Sequence, residues 1–547
     1  MAAGNAGSAG REGRGWSLLA LALLFAAEFV WFDTQTSRHF TWIYPRWNDQ
    51  IQYLTESYTG FEYLKAHGFW AGLRATLVNP SAQGTLHDFG AVLLFCVAGP
   101  SRGAALALNL FALIAWQAAL FVAVRRGTNS RPLAWAALAL PLALRWAWSA
   151  APGSAVDFRL DHLALCALGA TLACALLTRG FRATGWSAVF GAATGFTLLT
   201  RFLTGTYFTL ILLGLVIWIL SGDHRLRRLG NLALAVVIAA ALAGPFFWIN
   251  RDWVWNYYMI GHFTGPESAI RNPNMGLSAS IAWVWHHLSQ NQLGPVFWWL
   301  AGAGTTLLAL GFRRDRAPSP AVRSPGSDWW VPGALFLAAP ALILTLHQQK
   351  SEIVVGALAP GAVVLVLALW AQVLPRQRFP WAPALLAAGC LAATGTTFVL
   401  RQLPPAGDAG FQAAARKVNA LADYIYLRSQ AAGLKNPRVG VDQVTDSLDG
   451  QVLRVICYER KQDWVPFIMT LPTGIMEADE ALIMERLANS DFIFLTEGGS
   501  NGNWPYDRQL RALLPKTQAW CDAHLKLVER FEIFGRRMVL YQRPEIP

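Results

Sequence analysis

Charged residues are scarce in this sequence. Of its 547 residues only 14% are Asp, Glu, Lys or Arg, whereas soluble domains have about 25%. Hydrophobic residues make up 54%, and the mean hydropathy is +0.33. The shortage of charge excludes an ordinary soluble enzyme, and repeated apolar runs of about 20 residues predict transmembrane helices.

Cysteines and acidic residues are also few. None of the six cysteines has zinc-ligand spacing, which argues against a structural zinc site. Cys457 and Cys521 lie in the polar C-terminal part, where a disulfide between them is one possibility. The 33 acidic residues leave a net charge of +12. In a membrane protein such an excess belongs to cytoplasmic loops, so it does not indicate nucleic-acid binding.

Eleven apolar runs are candidate membrane spans. They lie near 16–33, 103–124, 131–150, 160–178, 184–200, 204–220, 229–248, 294–312, 329–346, 352–373 and 380–400. With eleven spans and the N-terminus inside, each short cytoplasmic segment carries arginine, as the positive-inside rule requires. The alternative counts the short run at 87–98 as a twelfth span, which would place these arginines outside. The predicted fold class is therefore a multi-span α-helical membrane protein of about 11 transmembrane helices, with a soluble C-terminal α/β domain.

The composition changes after residue 403. Residues 1–403 form the predicted transmembrane domain, with long outer loops at 34–102 and 249–293. After the linker "LPPAGDAG", helices are predicted near 410–430, 478–489 and 506–515. Segments rich in Val, Ile and Phe predict strands: "PRVGVDQV", "QVLRVICYE", "DFIFLTE", "LKLVERFEIF" and "RRMVLYQR".

The same topology predicts where the chain resides. It places residues 404–547 on the outer side of the membrane, away from the arginine-bearing loops. The Ala-, Arg- and Trp-rich usage favours a bacterial origin. We therefore expect a multi-pass protein of the bacterial inner (cytoplasmic) membrane with a periplasmic C-terminal domain.

Ionisable residues from five segments converge at the outer ends of the predicted spans. Such groups are costly at membrane depth, so each is a functional candidate. The cations can hold an anionic group, and a carboxylate can take a proton. The candidates are Asp49, His87, Asp88, Arg159, Asp161, Arg201, His262, Glu267, Arg271, His347 and Lys350.

Two of these residues have unusual surroundings. Asp49 follows the first span and is ringed by aromatic and amide side chains, among them Tyr53, which suit a polar ligand such as a sugar. A solvated loop residue or a helix N-cap is the alternative. Arg201 lies at the outer face, where an arginine breaks the usual charge rule, and this favours anion binding. The neighbours His87 and Asp88 either cap a helix or bind a metal ion.

Several segments, in this order and spacing, share a resemblance. An acidic residue, Asp49, follows the first span, and Asp161 opens a later span after Arg159. "GAATGFTLLTRF" places Arg201 where a related "LTKG" stretch has lysine. "NYYMIGHFTGPESAIR" is similar to an aromatic–His–Glu–Arg loop, and "HQQKSEIVVGALAP" to a "K…Y…P" turn. Together they resemble the GT-C superfamily of membrane glycosyltransferases over about residues 16–400, with the protein O-mannosyltransferase-like and lipid A aminoarabinose transferase-like branches nearest.

The resemblance implies a reaction. A sugar would move, with inversion, from a polyprenyl-phosphate donor in the membrane to a lipid or glycan acceptor outside. Asp49 would activate the acceptor with Asp161 in support, and cations would stabilise the leaving phosphate. Gln50 stands where the mannosyltransferase branch has a second acid, which favours a lipid or glycan acceptor. The implied substrate-binding residues are Arg201, Arg271, Lys350, His262, Glu267, Arg159, His347 and Tyr53, and the implied ligands of a divalent metal ion are His87 and Asp88.

Two other functions fit the same residues. A transporter or flippase of a lipid-linked or anionic substrate would also need charged groups in the membrane. A non-catalytic scaffold would use the outer domain as a binding module. Clustering of the polar groups at one face, with no inverted internal repeat in the sequence, favours the transferase. The donor sugar and the oligomeric state stay open.

Overall fold

The computed structural model describes most of the chain. The described residues are 6–39, 49–79, 81, 83–149, 153–264, 275–312, 327–348, 350–375, 379–396, 409–442, 450–461, 466–471, 478–497, 508–533 and 535–547. The chain divides into two compact units. The first comprises Met1–Thr36, Leu77–His87 and Leu106–Leu403, and the second Ser37–Thr76, Asp88–Ala105 and Pro404–Pro547.

Helices account for most of the described residues before 397. The α-helices there are α1 Ala6–His39, α2 Asp49–His67, α3 Phe69–Val78, α4 Leu86–Ala98, α5 Arg102–Thr128, α6 Arg131–Leu142, α7 Leu160–Leu177, α8 Thr184–Thr200, α9 Leu203–Leu220, α10 Arg225–Ile249, α11 Arg251–Val254, α12 Leu277–His286, α13 Pro295–Phe312, α14 Trp330–Leu346, α15 Ala359–Val373 and α16 Ala382–Gly395. Trp255–Thr264 and His287–Gln292 are π-helical, and Ser327–Trp329 and Glu352–Leu358 are 3₁₀-helical.

Six stretches of the described helices are long and apolar enough to cross a membrane. They are Leu18–Arg38, Arg102–Thr128, Leu160–Leu177, Leu203–Leu220, Arg225–Ile249 and Glu352–Val373. Shorter apolar helices are Leu86–Ala98, Pro295–Gly311, Trp330–Leu346 and Ala382–Gly395. The predicted class of a multi-span α-helical membrane protein is confirmed.

The span count differs from the eleven predicted because some apolar runs do not continue as one helix. The run at 131–150 is interrupted, since α6 ends at Leu142, directly after Pro141. The short run at 87–98 is helix α4, which has 13 residues and therefore a length of about 20 Å. That is less than the roughly 30 Å hydrocarbon core, as expected from its sequence.

Small residues bring the helices of the first unit close together. α8 packs against both α7 and α10. A Cβ atom on Gly191 would lie 2.4 Å from the Ala235 carbonyl oxygen, and one on Gly169 would meet the Trp116 ring at 2.4 Å. Lipid gives little hydrophobic drive for helices to associate, so close packing at small residues holds them together.

A five-stranded sheet forms the core of the second unit within its described residues. The strands are β1 Arg438–Val441, β2 Phe467–Thr470, β3 Phe492–Thr496, β4 Lys526–Ile533 and β5 Arg536–Gln542, in the order β2-β1-β3-β5-β4. β1 pairs in parallel with β2 and β3, and β5 pairs antiparallel with β3 and β4. The accompanying helices are α17 Ala409–Ala431, α18 Gly450–Lys461, α19 Glu480–Ala488 and α20 Arg508–His524.

Most of the predicted elements of this α/β part are present, but one strand prediction is wrong. "QVLRVICYE" belongs to helix α18, in which Val452, Val455 and Ile456 are buried. Their i, i+3 and i+4 spacing fits one face of a helix, and the β-branched residues concealed it. β3 is buried along its whole length, as the continuous apolar run of a central strand predicts.

The two cysteines of the C-terminal part are free. Cys457 in α18 and Cys521 in α20 are both buried thiols. The disulfide that the sequence allowed between them is therefore not formed, and both residues serve as small apolar packing groups.

Candidate active site

An ion pair lies where α7 begins and α8 ends. Asp161 is in the first turn of α7, and Arg201 follows the last residue of α8 with an extended backbone. The Arg201 guanidinium donates to the Asp161 carboxylate, and their side chains are 22% and 9% exposed. The structure thus pairs Asp161 with Arg201, whereas the nearby Arg159 lies beside Asp157.

This pair borders a cleft in the first unit. The cleft is small and is lined on one side by the 3₁₀ helix Glu352–Leu358, through Ile353 and Val354. Asp161, Arg201 and Tyr207 supply polar groups to a mainly apolar wall. Small-molecule sites likewise combine apolar walls with a few polar groups.

Two tyrosines near the pair are not among the site residues predicted from the sequence. Tyr207 lines the cleft, and its buried hydroxyl has no hydrogen-bond partner among the described residues. Tyr258 donates a hydrogen bond to Gln83 Oε1 at 2.6 Å, and its ring lies 4.8 Å from that of Phe202. Burial raises the pKa of Tyr258, although the charge of Arg201 opposes the shift, so this hydroxyl remains a donor. Tyr207 sits within an apolar run and gave no separate signal in the sequence.

Arg159 has a structural partner of its own. Its Nε lies 3.3 Å from Asp157 Oδ2, and the same carboxylate oxygen accepts a hydrogen bond from the Gly153 amide at 2.5 Å. Asn109 Nδ2 donates to the Asp157 carbonyl at 2.9 Å. These contacts fix the chain entering α7, so the structure gives Arg159 an organising contact rather than a place on the cleft wall.

Lys350 caps the end of α14. Its ammonium donates to the carbonyl oxygens of Leu344, Thr345 and His347 at 2.8, 2.9 and 2.7 Å. Three bonds use all three ammonium donors, and they satisfy carbonyls that a helix end leaves open. Burial lowers the pKa of Lys350. His347 is the C-cap residue that directly follows α14. Lys350 thus caps this helix end in the structure, and its role as a phosphate ligand stays a prediction.

Asp49 is the first residue of α2, in the second unit, and is exposed. A carboxylate at this position is favoured by the helix dipole. Tyr53 lies one turn further along the same helix and is partly buried. These two predicted residues therefore share one helix.

Glu56 of α2 and Asp88 of α4 form an acid pair. Glu56 accepts a hydrogen bond from Gln52 at 2.8 Å, and Ser57 donates to Asp88 at 3.0 Å. Burial, and then the nearby charge of Asp88, raise the pKa of Glu56 to about 7, although the Gln52 hydrogen bond opposes the shift. A carboxyl group with such a pKa exchanges a proton near neutral pH.

His87 and Asp88 contact different neighbours. The His87 ring is buried and lies 3.9 Å from the Phe158 ring, whereas Asp88 faces Ser57. The described residues contain no group of three or more His, Cys, Asp or Glu that could hold a metal ion. The donor set around these two residues therefore does not fit a divalent metal ion.

Within the second unit, helix α18 of the C-terminal part contacts α2 through hydrogen bonds and ring stacking. Glu459 of α18 accepts hydrogen bonds from the Tyr58 hydroxyl at 2.7 Å and from the Arg102 backbone amide at 2.9 Å. The Tyr58 ring stacks on Tyr458 at 5.3 Å. Arg102, itself 3% exposed, donates to Gln50 Oε1 at 3.2 Å. A chain of contacts thus runs from α18 to the residue beside Asp49.

Three predicted residues cannot be placed. The side chain of His262, together with Glu267 and Arg271, lies outside the described residues. Their predicted substrate-binding roles stay predictions.

Comparison with known proteins gives one clear result. No protein-family model and no curated protein matches the sequence. Among solved structures, ArnT from Cupriavidus metallidurans in the apo state matches with a TM-score of 0.56 at 15% identity, over 97% of this chain and 98% of that one. The same protein bound to undecaprenyl phosphate matches with a TM-score of 0.56 at 16% identity, over 96% and 98%.

The chain has the GT-C fold. The resemblance stated from the sequence is confirmed at this level. A mycobacterial arabinofuranosyltransferase, AftD, matches with a TM-score of 0.48 at 13% identity, over 96% of this chain and 40% of that one. The Asp161–Arg201 pair and the cleft belong to the first unit, called the membrane unit below. Asp49 and the acid pair of Glu56 and Asp88 belong to the second unit.

The acid pair predicts a pH dependence of stability. The folded protein holds the Glu56 proton more tightly than the unfolded chain, so this contribution is full below pH 4.5 and is lost as pH rises through about 7. Glu56→Gln removes that loss, on the order of 3 kcal/mol. Melting temperatures of both proteins from pH 4.5 to 8 measure it, with Glu485→Gln, an exposed acid of α19, as control. Identical pH slopes for wild type and Glu56→Gln would contradict it.

The contacts of Glu459 with Tyr58 and Arg102 predict that Glu459→Ala lowers the free energy of unfolding. The Tyr58 hydroxyl and the Arg102 amide would both lose their acceptor, at a cost of about 1–3 kcal/mol. Glu459→Gln keeps one oxygen acceptor and should lose less. The control is Glu480→Ala, which breaks an exposed ion pair with Lys516 and should change little. The melting temperatures of the variants in detergent are compared. Equal losses in the two alanine variants would refute a stabilising contact between α18 and α2.

Proposed function

We propose that the protein is an integral-membrane glycosyltransferase. It transfers a sugar from a polyprenyl-phosphate donor to a lipid or glycan acceptor, with inversion. The observation that carries this proposal is the whole-length likeness to ArnT, one of whose structures has undecaprenyl phosphate bound. The cleft beside Asp161 and Arg201 supports it, because it combines an apolar wall with a cation.

Arg201 is proposed to hold the phosphate of the donor. Its guanidinium presents several donors in one plane, which suits phosphate oxygens. Asp161 orients that guanidinium through their ion pair, and Tyr207 supplies a buried hydroxyl to the same cleft. As the sugar–phosphate bond breaks, negative charge grows on the phosphate, and the cation stabilises it more than it stabilises the intact donor.

Asp49 is proposed to activate the acceptor. The acceptor oxygen or nitrogen forms a bond to the sugar C1, its proton passes to the Asp49 carboxylate, and the C1–O bond to phosphate breaks. The bond electrons leave with the polyprenyl phosphate. Attack from the side opposite the leaving group inverts C1.

The orientation is proposed from charge. α7 starts at the Asp161 end, and Arg179 and Arg182 follow its other end. Arg225 and Arg227 open α10. Because short cytoplasmic segments collect arginine, we place these turns on the cytoplasmic side and the ion pair on the outer side of a bacterial inner membrane. The C-terminal part would then be periplasmic.

Asp49→Asn tests the role of the carboxylate. The amide cannot take the acceptor proton, so transfer should fall about 100-fold or more. Formation of free polyprenyl phosphate from a polyprenyl-phosphate sugar, followed by mass spectrometry, measures the rate. Glu62→Gln, on the same helix and salt-bridged to Lys65, is the matched control and should retain activity. Full activity of a folded Asp49→Asn protein would reject Asp49 as the base.

A further inference from the structure

A polar pocket lies at the other end of α7 from the ion pair. The 18 residues of α7 span about 27 Å, so the turn after it is far from Asp161. The turn between α9 and α10 reaches the same place. Between the two turns is a pocket of about 180 Å³.

Three arginines from two parts of the chain line this pocket. Arg179 and Arg182 come from the turn after α7, and Arg228 from the first turn of α10. Arg228 is 3% exposed, and its Nε donates to the Gly180 carbonyl at 2.6 Å. Its guanidinium also lies 5.0 Å from the centre of the Trp218 ring. These contacts fix one cation in place within the pocket.

Further polar groups complete the lining. Arg182 Nε is buried and has no hydrogen-bond partner within the described part of the chain. Asp223 and Asp328 face the same space. Guanidinium groups bind phosphate oxygens through paired N–H donors, and carboxylates accept from hydroxyl or ammonium groups. The lining therefore suits a ligand that carries a phosphate beside a hydroxyl or an amine.

The surroundings favour a lipid as the source of that phosphate. Leu220 and Leu226 flank the α9–α10 turn and are 46% and 87% exposed. Apolar side chains at the end of membrane helices offer contact to acyl chains, while basic pockets between such helices bind phospholipid head groups. We infer that this pocket binds the phosphodiester head group of a membrane phospholipid, at the face opposite the candidate active site.

The binding of a short-chain phosphatidylglycerol to the purified full-length protein tests this inference. The lipid should raise the melting temperature of the wild type in a saturable manner. Arg179→Gln with Arg182→Gln removes two of the three cations but leaves Arg228 to hold the turn. We expect the apparent Kd to rise at least about tenfold. The matched control is Arg225→Gln with Arg227→Gln, which removes two charges from the first turn of α10. Neither side chain lines the pocket, and the contact with the lining that is lost is the Arg225 Nε hydrogen bond to the Gly222 carbonyl at 3.1 Å.

The outcomes separate the possible sources. Inorganic phosphate that stabilises the wild type as well as the lipid does would overturn the lipid assignment. Equal weakening in the two double variants would show that general surface charge attracts the lipid, and would overturn the pocket. If the first double variant is already destabilised without lipid, Arg179→Gln alone, at an exposed residue, serves in its place and should still weaken binding relative to Arg225→Gln.

Discussion

The Asp161–Arg201 ion pair is the interaction on which the membrane unit depends. It joins the start of α7 to the end of α8, and both charges are largely shielded from water. Removing one partner would leave the other charge poorly solvated, at a cost of several kcal/mol. α8 also packs closely against α10, at Gly191. The pair and the 3₁₀ helix Glu352–Leu358 together border the cleft.

The second unit explains what the C-terminal residues contribute. No motif in them indicates an activity, yet α18 contacts α2 through Glu459 and the stacked Tyr58 and Tyr458 rings. Arg102 continues the contact to Gln50, next to Asp49. The C-terminal part therefore fixes the helix that carries the proposed base, Asp49. A catalytic group whose helix is held in place needs less reorientation before it can react.

Much of this architecture could be predicted from the sequence, because hydrophobic periodicity and charge placement are local signals. Arg201 attracted notice as a cation on the wrong side of the membrane, and Asp161 as a carboxylate one turn inside a span. Both predictions concern residues that the structure pairs. β3 was predicted from a segment rich in Phe and Ile, residues that favour strands.

Other features depend on contacts between residues distant in sequence, and no local pattern reveals them. Tyr58 and Glu459 are 401 positions apart, so their hydrogen bond could not be inferred. Tyr207 resembles any packing residue of an apolar helix until its hydroxyl is seen in the cleft. Lys350 looked like a free cation, but the fold turns it back onto the carbonyl groups that end α14. The helix α18 was missed because its β-branched residues favour a strand locally.

The most direct test of the account is the affinity of the purified protein for undecaprenyl phosphate. Wild type is compared with the double variant Asp161→Asn and Arg201→Gln, which removes both charges without leaving either one unpaired. Arg251→Gln, at an exposed arginine of α11, is the control. We predict that the double variant weakens binding at least about tenfold while the control matches wild type. Equal affinity in all three proteins would contradict the assignment of the donor phosphate to this ion pair.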